Sequence, residues 1–97
     1  MKPDAIIKVR FLTTVEGGRN TAIEGQFYAC PLFIDNKGFD CRLMLEGQRF
    51  ELGVDYEVPV KFLYRELILP KLKIGKEVEL WEGRKVANGL VLKIFDS

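Results

Sequence analysis

The chain has 97 residues, 47% of them hydrophobic and 30% charged, with 15 Lys and Arg against 14 Asp and Glu and no histidine. A chain of this length makes one domain, residues 1–97, with a usable core and little stability to spare. The net charge of +1 argues against the clear basic excess of an autonomous nucleic-acid binder, and the missing histidine removes the commonest general base and metal ligand.

The first residues, MKPDAIIKVR, alternate and contain no long apolar run. The expectation is a cytoplasmic protein with no secretory signal and no membrane contact. In AIIKVRFL (5–12), Ala5, Ile7, Val9 and Phe11 share one face and Lys8 and Arg10 the other, the period of a half-buried strand. QFYACPLFI (26–34) and FDCRLMLE (39–46) are the next two strand candidates. DNKG between them suits a tight hairpin turn through its Asn and Gly. On the third run Phe39, Cys41, Leu43 and Leu45 point inward. VDYEVPVKFLY (54–64) places Val54, Tyr56, Val58, Val60 and Phe62 inward. Pro59 cannot donate to a ladder, so this strand is expected to be an edge or to carry a bulge.

FLYRELILPKLKIG (62–75) is the ambiguous segment: its apolar residues are dense, Pro70 would break a helix, and no amphipathic helix is expected anywhere. KEVELW (76–81) turns Val78 and Leu80 inward. GRKVANGLVLKIF (83–95), entered by a short EGR hairpin, places Leu90, Leu92 and Ile94 on one face. Six or seven short strands with turn signals between them indicate a sandwich or a barrel. Closure removes sheet edges, and the expected fold is all-β, a small closed six-stranded antiparallel barrel of Greek-key type.

Cys30 and Cys41 have no C-x-x-C spacing and no histidine partner. They are expected as reduced, partly buried side chains and not as metal ligands. With no nucleophile and base in sight, no enzyme and no cofactor are expected.

LTTVEGGRNTAI followed by GQFYA resembles the opening of the third, C-terminal barrel domain of elongation factor Tu, where a strand runs into an E-G-G-R-H-T turn and the next begins Q-F-Y. ILPKLKIGKEVELWEGRKVANGLVLKI resembles that family's closing hairpin, and LGVDYEVPVKF sits where the family has a P-G-D turn and a long strand. Asn20 replaces the family's histidine, and WEGRKV is one residue and one glycine shorter. No phosphate-binding loop is present, so GTP binding is not expected.

The resemblance implies a surface built from two turns. It assigns partner contact to Arg19, Thr21, Gln26, Glu82, Gly83 and Arg84, with Asn20 in the histidine's place. Trp81 beside the second turn is a candidate anchor, since an exposed Trp serves interfaces well, or a cap on the barrel end. Gly17 and Gly18 are expected at φ > 0, leaving the Arg19 guanidinium free to fork onto a phosphate or carboxylate. The plainer alternative makes Gly17, Gly18 and Arg19 a structural turn with an internal ion pair. Lys71, Lys73 and Lys76 form a basic patch or a solvated face. Two functions follow: a non-catalytic module engaging a protein partner, translation-related or of a decoy or immunity type, and a weak tRNA-binding barrel retaining the family's T-stem surface. A monomer or weak oligomer is expected.

Overall fold

In the computed structural model, residues 2–95 are described. Six strands, β1 (Ala5–Phe11), β2 (Phe27–Ile34), β3 (Lys37–Met44), β4 (Asp55–Phe62), β5 (Glu77–Trp81) and β6 (Lys85–Ile94), close into one antiparallel barrel. The order around the wall is β1-β4-β3-β2-β5-β6. It places β1 beside β4 after the β2-β3-β4 meander, a Greek-key connection.

Alternation drives the closure. Ala5, Ile7, Val9 and Phe11 of β1, Leu32 and Ile34 of β2, Cys41 and Leu43 of β3 and Val58, Val60 and Phe62 of β4 are buried together with Val78 and Leu80 of β5. Both ends of the barrel are plugged. Ile23 bridges Phe50 at one end, where Phe50 stacks on Tyr56 with centroids 4.2 Å apart. Ile68 and Leu72 fill the other.

The β2–β3 hairpin turns on Asp35 and Asn36, both at positive φ (51° and 66°), the two-residue geometry whose twist matches that of the strands. Gly38 lies in β3 opposite Phe33, so the expected turn residues are corrected to Asp and Asn. Cys30 and Cys41 are buried and paired directly across β2 and β3. A hydrogen bond between the thiols, reinforced by burial, pushes the Cys41 thiol up from its ordinary value.

Four further expectations are corrected. Pro59 lies on neither an edge nor a bulge. It faces Ile6 of β1, and the β3 ladder begins one residue later at Val60, so no bond is lost by its missing N–H on that side. Val54 is 45% exposed just before β4 begins. In β6 the buried side chains are Val86, Ala87 and Val91, while Leu90 and Leu92 are only partly covered. The register against β1 skips Leu92 between Lys93 and Val91, and this extra residue reverses the alternation. Finally, segment 62–75 holds a four-residue helix, α1 (Arg65–Ile68), followed by a 3-10 turn at Leu69–Lys71 with Pro70 at its start, where a missing N–H costs nothing.

Asp4, 2% exposed, ties this connection to the barrel. Its carboxylate accepts the Phe62 N–H (2.9 Å), Arg65 Nε (2.8 Å) and Lys61 Nζ (3.3 Å). Burial works to raise its pKa. The Phe62 N–H, then Arg65 and Lys61, outweigh burial and hold it below the ordinary value.

Candidate functional site

The β1–β2, β3–β4 and β5–β6 connections emerge at one end of the barrel. The longest, residues 12–26, is held along its whole length. Leu12 N–H donates to Val86 O (2.8 Å) and Gly18 N–H to Thr13 O (2.9 Å). Glu16 folds back to accept Thr13 N–H (2.8 Å) and Arg10 Nη1 (3.1 Å). Those two contacts, the backbone one first, lower the Glu16 pKa. Thr14 Oγ1 donates to Arg19 O at 3.0 Å.

The turns of Arg19 and Arg84, which only the resemblance led one to expect on a common surface, meet here. Arg84 Nε donates to Gly17 O (2.9 Å) and its Nη2 to Gly18 O (2.8 Å). The β5–β6 hairpin is thereby fastened to the 12–26 loop by one planar guanidinium. Arg19 is not free. It pairs with Glu82, donates from Nε to Thr21 O (3.3 Å), and lies over the Tyr28 ring at 5.5 Å. Tyr28 O–H donates to the same Glu82 oxygen. Burial, then this bond, pushes the Tyr28 pKa above its ordinary value and keeps the phenol protonated. The expectation of an open guanidinium at Arg19 gives way to an internal clamp of Arg19, Glu82 and Tyr28.

The two glycines serve different ends. Gly17 has φ +86°, whereas Gly18 does not have positive φ. A Cβ on Gly18 would stand 2.2 Å from Leu12 O, so Gly18 is set by close backbone approach and not by handedness.

The other predicted residues fall around this clamp. Gly83, at φ 74°, forms the hairpin tip. Gln26 contributes its carbonyl, which accepts Leu45 N–H (2.9 Å) and Glu46 N–H (3.1 Å), to a separate turn of the same end. Asn20 is exposed and makes no side-chain hydrogen bond among the described residues. Trp81 lies on the outer wall, against Phe33 (centroids 4.9 Å apart), with its indole N–H on Glu79 at 3.0 Å. It neither caps the barrel nor joins the clamp.

Sequence reasoning missed two residues of this end. Tyr28 stood in the quoted Q-F-Y triplet but alternation alone made it strand packing. Val15 is 98% exposed in the loop, and its signal is a lone β-branched apolar residue between Thr14 and Glu16, inside a turn. Among the described residues no three His, Cys, Asp or Glu side chains gather into a metal-binding group. Compared with known proteins, the chain matches no family model and no curated protein.

Proposed function

We propose that this barrel is a non-catalytic binding module that engages a protein partner through its loop-bearing end. The observation that carries the reading is the ordered 12–26 loop, in which Thr13, Thr14, Glu16 and Arg19 are engaged by groups of the protein itself while Val15, 98% exposed, faces solvent. A connection this long in a compact domain usually serves function. Its fixed shape also lowers the ordering cost of association. The likeness to the third domain of elongation factor Tu supports a translation-related partner, or a decoy or immunity-type role for a free barrel.

Binding of tRNA is the weaker reading because its natural phosphate ligands, Arg19 and Arg84, already hold Glu82 and two backbone carbonyls. RNA affinity comes largely from phosphate neutralisation. Affinity capture from native lysate, with and without RNase, tests the proposal. The captured protein should survive RNase, and Val15→Asp should weaken capture about tenfold with the melting temperature unchanged. Release by RNase would favour the tRNA reading, and capture indifferent to Val15→Asp would remove the loop from the interface.

A further inference from the structure

The β2–β3 hairpin carries two thiols that the loop-bearing end does not use. Cys30 and Cys41 stand directly opposite each other, and their place in the ladder follows from either end of it. Gln26 O accepts the Leu45 N–H at 2.9 Å, and bonded and non-bonded pairs alternate from there. Tyr28–Leu43 and then Cys30–Cys41 fall on bonded positions. At the other end, Ile34–Lys37 closes the two-residue turn through the turn's own hydrogen bond, and alternate pairs again lead back to Cys30–Cys41. Pro31, with no N–H to offer, takes the non-bonded position opposite Asp40.

Residues opposite each other at a bonded position have Cα atoms about 5.5 Å apart. That lies well inside the roughly 4.4–6.8 Å that a disulfide spans. Both side chains point into the barrel and are buried, and a hydrogen bond already joins the thiols. The backbone thus has the separation that a bond between them needs.

Burial slows any reagent, and the ladder shows a way past it. β2 and β3 pair along their whole lengths, Phe27–Ile34 against Lys37–Met44. β3 meets β4 only from Cys41 to Leu43, and β2 meets β5 only at Leu32 and Phe33. The hairpin is held better to itself than to the wall on either side. A local opening that swings it outward costs less than global unfolding and brings both thiols to solvent with their register intact.

We infer that Cys30 and Cys41 are a redox-responsive pair: a dithiol in this structure, and an internal disulfide in the presence of a small-molecule disulfide. One cysteine, deprotonated, attacks a sulfur of the reagent, and the first reagent thiolate leaves. The other, deprotonated in turn, attacks the protein sulfur of that mixed disulfide and expels the second reagent thiolate. The protein gives up two protons and two electrons, and the reagent is reduced to two thiols. The bond staples β2 to β3 two residues from Tyr28 of the clamp and restricts the unfolded chain. The inference does not rest on the binding reading.

The full chain, incubated with bis(2-hydroxyethyl) disulfide, is read by intact mass and by calorimetry. The expected product is a monomer about 2 Da lighter than the parent, with no free thiol after unfolding in urea. It should melt higher, by about 5–15 °C, and tris(2-carboxyethyl)phosphine should restore the parent's mass and melting temperature. Cys30→Ala and Cys41→Ala should each take up one reagent adduct at most and never give the lighter monomer. Neither variant need fold for the parent's result to be read. The inference is overturned if the folded parent keeps both thiols for days after the urea-unfolded chain has oxidised. It is equally overturned if reagent adducts or disulfide-linked dimers accumulate in place of the lighter monomer, or if the oxidised monomer melts at or below the reduced one, since the fold would then oppose the bond.

Discussion

Each end of the barrel ties down a long connection, and the two ties are built differently. At one end, the side-chain tie of segment 63–76 centres on a buried carboxylate, Asp4, whose side chain is 3% exposed and which takes two cations and a backbone N–H. At the other, loop 12–26 is held by arginines that remain partly in water, Arg19 at 24% and its partner Glu82 at 40%. The exposed tie has the more numerous polar contacts. Each is worth less, because water and salt screen the exposed set, while a buried carboxylate is lost together with all of its partners. A tie made of one buried anchor is expected to fail at once, and a distributed, exposed tie to fail piecemeal.

The largest expected effect is at Asp4. Asp4→Ala leaves the Phe62 N–H without a partner and two cations facing each other, at a cost of about 3 kcal/mol. For a domain of this size that lowers the melting temperature by roughly 10–20 °C, which calorimetry reads directly. The pH dependence has the same origin. Because the folded-state pKa of Asp4 lies below its ordinary 3.8, its stabilisation is complete above that value and disappears as pH falls through the lower folded-state pKa. The acid limb of a stability–pH curve should therefore be shallower in Asp4→Ala than in the parent. Parallel acid limbs would place the acid sensitivity elsewhere.

Next comes Gly18→Ala, which tests whether the exposed end is as soft as the comparison holds. The added Cβ meets the Leu12 carbonyl, a backbone atom that cannot step aside alone. Displacing it should cost about 2 kcal/mol and loosen the loop from the hairpin, visible as faster hydrogen exchange at Leu12 and Gly18. Arg84→Ala follows at about 1 kcal/mol, since its two bonds to Gly17 O and Gly18 O are made at the expense of water contacts. If Arg84→Ala costs as much as Asp4→Ala, burial is not what separates the two ends.

The strands and most of the inward faces were legible in the sequence because alternation is a local signal, as β1 shows from Ala5 to Phe11. The burial of Val91 in place of Leu90 and Leu92 was not, because a bulge is fixed by register against β1 and leaves no local mark. The meeting of Arg19 with Arg84's turn was expected only from the resemblance, since nothing local in either turn points to the other. The internal use of both guanidiniums was not, since their acceptors are a distant Glu82 and two backbone carbonyls. Asp4 gave no signal at all: its partners Phe62 and Arg65 lie some sixty residues away.

The smallest expected effect gives the sharpest test. Arg49 looks like the counterpart of Asp4 with the sign reversed: one ion between two opposite charges, Glu24 at 3.0 Å and Glu51, joining the 12–26 loop to segment 45–54. Those bonds, to Glu51 first and then Glu24, raise the Arg49 pKa above its ordinary value. All three side chains are more than half exposed, and ion pairs in that setting contribute little or nothing measurable. Arg49→Ala should leave the denaturation midpoint unchanged at moderate salt, with any small difference vanishing as salt rises. The same substitution should also leave the Ile23–Phe50 bridge intact, since that bridge rests on two backbone bonds of 2.9 and 2.7 Å and on buried side chains. A midpoint drop comparable with that of Arg84→Ala would mean that the number of ion-pair partners, and not their burial, governs how the barrel holds its connections. The contrast between its two ends would then have to be abandoned.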